Sequence, residues 1–134
     1  MPLPITLRTV VLATATLFVG CSTIRTETPE GEAVAMNEAE FAAYVEHVFR
    51  HHNSVVNDLM FTSGMDGQQD RNSGAELIGA ETNMDYACLP LNEVVSALAG
   101  GQKPGIKTKM QLVKAVPECE AATRKVETLI SSGF

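Results

Sequence analysis

Tryptophan is absent from this 134-residue chain, which has only two tyrosines and five phenylalanines. Large aromatic anchors are therefore scarce, and Ala, Val, Leu and Met must supply the packing of any core. Basic side chains are outnumbered by acidic ones, ten to sixteen, and no Lys/Arg stripe runs along one face. That excludes nucleic acid as the expected partner. No glycine-rich phosphate loop, G-x-S-x-G elbow, H-E-x-x-H pair or C-x-x-C pair occurs. Neither an enzyme nor a cofactor is expected on those grounds. Sustained sheet-type alternation of apolar and polar residues is also missing.

What is present begins with residues 1–8, which carry one charge, Arg8, followed by the uncharged run TVVLATATLFV at 9–19. This run is too short to span a bilayer as a helix, which takes about 20 residues. It has the form of the apolar centre of a secretory signal. The run closes on Phe18-Val19-Gly20-Cys21. This resembles the lipobox of bacterial lipoproteins, with Phe18 where leucine is usual. The resemblance implies cleavage after residue 20, lipid on Cys21 and anchoring to a membrane from the periplasmic side. Ser22, where an aspartate would imply retention in the inner membrane, implies the outer membrane. Residues 21–36 are rich in Thr, Glu, Pro and Gly, and they read as a lipidated flexible tether. Fully extended, 15 residues would reach about 50 Å. Removal of Arg8 with the signal takes the formal charge from −6 to −7.

Residues 37–134 are expected to form one helical domain. Asn37-Glu38-Ala39-Glu40 and Ser73-Gly74-Ala75-Glu76 have the spacing of capping boxes. The first opens a pattern ending before Gly64, with Phe41, Val45, Val48, Val55 and Leu59 on one face. The second runs from 74 to the Gly100-Gly101 pair, with Leu77, Met84, Cys88, Leu91, Val95 and Leu98. A third starts near 106 and carries Leu112, Ala115, Cys119, Ala122, Val126 and Leu129. Three segments of similar length and short connections predict an all-α, up-down-up three-helix bundle.

With Cys21 taken by lipid, Cys88 and Cys119 remain as an even pair in an oxidising compartment. Folding the second helix back on the third about the Gly100–Gly105 loop brings the two cysteines level, both on apolar stripes. A structural disulfide is expected there. The same fold sets Pro90 level with Pro117, so the helices are expected to be kinked or broken beside the bridge.

All three histidines fall on the first helix. His47 and His51 share a face and could supply two metal ligands, but no third completes a zinc set. His52 falls in the middle of the apolar stripe, so it is expected inside, hydrogen-bonded to Glu81, Asp85 or Thr123. The expected function is a non-enzymatic binding module of the cell envelope: membrane-held by its lipid, with a protein partner. A metal- or ligand-binding protein centred on His47, His51 and His52 is the alternative, and a small enzyme using His52 with Glu81 ranks third.

Overall fold

The computed structural model describes residues 22–63 and 71–132. Most of them lie in three helices, α1 (Glu38–Ser63), α2 (Arg71–Ala99) and α3 (Ile106–Ser131). Two short strands precede the helices, β1 (Ile24–Glu27) and β2 (Ala33–Met36). The chain is mostly helical, as its periodicity predicts, but it is not all-α. The expected signal segment, Cys21 and Gly64 lie outside the described residues. No described helix is long and apolar enough to cross a membrane.

Local chemistry sets the helix ends. The Asn37 side chain accepts the Glu40 N–H at 2.9 Å, while Glu40 Oε2 accepts the Asn37 N–H at 2.8 Å. These are the two reciprocal bonds of a capping box. The second helix starts earlier than the sequence suggests: α2 begins at Arg71, so Ser73 falls inside its first turn rather than at its cap. At the far end of α2, Gly101 takes the left-handed conformation, φ +74°, that lets the chain turn back. The Gly101 and Gln102 amides then donate to the carbonyls of Leu98 and Ala97.

Both α2 and α3 run unbroken through their prolines, Pro90 and Pro117. The disulfide Cys88–Cys119 joins them at that level, with the Cα atoms 4.6 Å apart. Both cysteines are fully buried, packed with Met84, Leu91 and Val116. Small neighbours on α3, Ala115 and Ala122, permit this close approach. A bridge between residues 31 positions apart stabilises the fold by ~3–4 kcal/mol in the chain-entropy model. α2 and α3 form the most extensive helix pair. α1 rests chiefly on α3 and touches α2 much less.

Residues 24–36, expected as part of a flexible tether, instead form an antiparallel hairpin pairing Ile24 with Met36 and Glu27 with Ala33. Its turn, Thr28-Pro29-Glu30-Gly31, places proline second and glycine fourth, the pattern of a type I turn. The Gly31 amide donates to the Thr28 carbonyl at 2.9 Å. An isolated two-stranded hairpin is barely stable in water, and this one is held by α3. Pro117 has no N–H to give to the carbonyl four residues earlier, that of Val113. The Thr26 hydroxyl donates to that carbonyl instead, at 2.6 Å. The hairpin is docked where the proline left an acceptor open.

Thr26→Val keeps the side-chain shape and removes this donor. Its expected cost in urea unfolding is ~1–2 kcal/mol, the penalty for a poorly solvated acceptor left unpaired. Thr26→Ser restores most of the loss. An unchanged midpoint in Thr26→Val would contradict the role given to this bond.

Candidate functional site

Three places bring chemically distinctive side chains together. The first is the core around the disulfide. His52, from α1, is 5% exposed, and a ring nitrogen lies within 4.8 Å of both the Cys88 and Cys119 sulfurs. The Thr123 hydroxyl sits 3.8 Å from Cys88 Sγ. His52 Nδ1 is buried and has no hydrogen-bond partner, so none of Glu81, Asp85 and Thr123 satisfies it as expected. With the sulfurs bonded to each other, neither is a thiolate ligand, and the group is a packing arrangement. Burial pushes the His52 pKa below its ordinary 6.5; Asp85 opposes that shift and His51 adds to it.

The second place is a polar cleft of about 670 Å³ between α1 and α3, lined by His47, Arg50, His51, Ser54, Glu120, Arg124, Glu127 and Thr128. His51 Nε2 lies 3.0 Å from the Glu127 carboxylate, while His47 is exposed with its ring 6.3 Å from that of His51. His52 faces away from both, toward the disulfide, so the three histidines do not form one site. Among the described residues, the only convergence of three ligand-type side chains is His52 with the two bonded cysteines.

The floor of this cleft holds a network that the sequence did not disclose. Glu120 is 3% exposed. One of its oxygens accepts the Tyr44 hydroxyl and the other accepts Arg124 Nη2, both at 2.6 Å. Arg124 Nη1 reaches Glu30 in the hairpin turn at 2.7 Å. One buried carboxylate and one guanidinium thus tie α1, α3 and the hairpin together. The Tyr44 hydroxyl is desolvated and donates to a carboxylate, so its pKa is driven well above the normal tyrosine range. Only the Glu120/Arg124 spacing of four was legible in advance; the Tyr44 and Glu30 contacts span 76 and 94 positions.

The third place is an apolar groove of about 780 Å³ at the end of the bundle where α1 starts, α2 ends and α3 starts. Phe41, Val94 and Leu112 form its buried floor, with Val45, Phe49, Val95 and Val113 half-buried along the walls. Ile24 of the hairpin closes one edge. The groove lies where α1 and α2, each packed on α3, make little contact with each other. Leu98, placed by its spacing on the α2 core stripe, is 55% exposed at the rim, beside Ile106 and Met110 at 79% and 71%.

No family model matches this chain, and no curated protein or solved structure resembles it significantly.

The His52 arrangement has a measurable consequence. Its folded-state pKa lies below the unfolded value, so the unfolded chain takes up the proton first as acid is added. Stability is then lost as pH falls through about 6.5. Glu81, raised by burial and by Asp85, works in the opposite sense at lower pH. Chemical unfolding followed from about pH 8 to about pH 5 is expected to show this loss in the native chain. In His52→Leu the loss should be largely gone. An equal slope in both would show that His52 is not the responsible group.

Proposed function

We propose that this protein is a lipid-anchored, non-enzymatic binding module of the cell envelope, held by Cys21 and binding an apolar element of another envelope component in the groove between α1, α2 and α3. The observation that carries the reading is the groove itself. A cavity in the size range of ligand sites, with a buried apolar floor and an exposed apolar rim, is left open in a chain that has few aromatic side chains to fill it. Contiguous apolar surface of this kind marks interaction sites. The non-enzymatic part rests on the sequence, which carries no catalytic motif. The anchor is supported by the lipobox-like FVGC sequence, and the outer membrane by Ser22.

The alternative, metal binding around His47, His51 and His52, is not favoured by the geometry, since His52 points away and His51 is engaged by Glu127.

Two measurements check the reading. Mass spectrometry of the mature protein is expected to show an acylated N-terminal Cys21, and a free, unmodified residue there would contradict the anchor. An environment-sensitive naphthalene-sulfonate dye is expected to bind the Cys21→Ser chain. Ala42→Trp, which fills the groove from its exposed wall, should weaken that binding about tenfold, a loss of ~1.4 kcal/mol, without lowering the melting temperature. Equal dye binding by both would mean the groove is not the binding element.

A further inference from the structure

The groove end of the bundle has a second property that an apolar protein partner does not require. Lys103, Lys107 and Lys109 are exposed around Ile106 and Met110, while the carboxylates of the groove lining, Glu38 and Glu46, come from α1. None of the three pairs with a carboxylate among the described residues. Two of them lie at the start of α3, whose first turn contains no acid and whose N-cap, Gly105, provides no side-chain bond. Helix dipoles favour negative charge at this end. Cations here add to the positive end of the dipole, and the uncapped first amides remain available to an acceptor. A helix that starts against its own dipole and without a cap is locally inconsistent, which is where an external ligand is expected to supply the missing charge.

The path of the chain adds an independent observation. The hairpin does not hold the bundle away from the preceding residues. Ile24 lines the groove, and Cys21 is bonded three residues before it. At 3.8 Å per step, that is a reach of no more than about 11 Å. A lipid on Cys21 would therefore join the chain within about 11 Å of Ile24, not about 50 Å from the bundle.

We infer that this end of the bundle docks on the bilayer: Ile106, Met110 and Leu98 enter the acyl layer at the groove, and Lys103, Lys107 and Lys109, with the start of α3, hold the phosphates of anionic phospholipid. This inference rests on the groove being the binding element, and it names the groove's occupant as bilayer lipid. Lysine stems cover apolar surface while their ammonium groups stay at headgroup level. Cationic side chains beside an anionic bilayer surface add to its attraction for the protein.

The chain has no tryptophan, so Met110→Trp is a unique reporter. Phe61→Trp, an exposed position at the opposite end of the bundle, is its control. Each would be made in the lipidated mature protein and in the Cys21→Ser chain. Vesicles would be phosphatidylcholine with or without phosphatidylglycerol. On phosphatidylglycerol vesicles, the 110 reporter is expected to shift to the blue and to be quenched by brominated acyl chains, while the 61 reporter stays in water. In the Cys21→Ser chain, changing Lys103, Lys107 and Lys109 to glutamate is expected to weaken partitioning by roughly a hundredfold or more. Circular dichroism would verify that the fold is kept. A water-exposed 110 reporter on lipidated, vesicle-bound protein overturns the docking and leaves the anchor intact. Burial of that reporter only when an envelope protein is added also overturns it, making the occupant a protein. If Cys21 carries no lipid in the mature protein but the Cys21→Ser chain buries the 110 reporter, the docking stands and the anchor reading fails.

Discussion

Pro117 deprives the carbonyl of Val113 of its helical donor, and the hydroxyl of Thr26 takes the vacant place. Much of the arrangement follows from that exchange. It fixes a hairpin that could not persist alone against the side of α3. It brings Glu30 at the turn within reach of Arg124, which in turn holds buried Glu120 under Tyr44. It also sends the chain out at Ser22 beside the apolar groove. A proline inside a helix is ordinarily a local defect; here it creates the acceptor on which the N-terminal segment is seated.

The disulfide acts on the same region from the opposite side of α3. A core without tryptophan and with little phenylalanine buries few large side chains, and its largest fully buried ones are Met84 and Leu91. Covalent closure of α2 onto α3 compensates for that deficit. The closure is uneven, because α1 packs on α3 and much less on α2. As a result the space between the start of α1 and the end of α2 is left as a groove, while the central level, at Val48, His52 and Val55, is packed.

The helices were legible because each carries a long stripe of apolar residues, and the Asn37/Glu40 box because its chemistry is local. The cysteine pairing was legible for a related reason, since one short loop between two long helices leaves little freedom of register. The hairpin was not. Its strands are four residues each, too short to establish a period, and Thr-Pro-Glu-Gly has the composition of a tether as well as of a turn. Its docking bond spans 87 positions, beyond any local rule. Helical angle puts His52 on the inward face, but a helical wheel says nothing about partners, and its buried Nδ1 has none. Leu98 fits the α2 stripe, yet it falls where the stripe passes the end of the packed region. Spacing identifies a face, not what covers it.

The central claim is that the N-terminal segment is folded onto α3 rather than free. A nitroxide at Lys125, next to the Arg124–Glu30 ion pair, tests this directly by nuclear magnetic resonance of the Cys21→Ser chain. Docking requires strong paramagnetic broadening of the backbone amides of residues 28–32, along with strand-type shifts at 24–27 and 33–36. Sharp, random-coil signals from residues 22–36 with no dependence on the label would contradict the account.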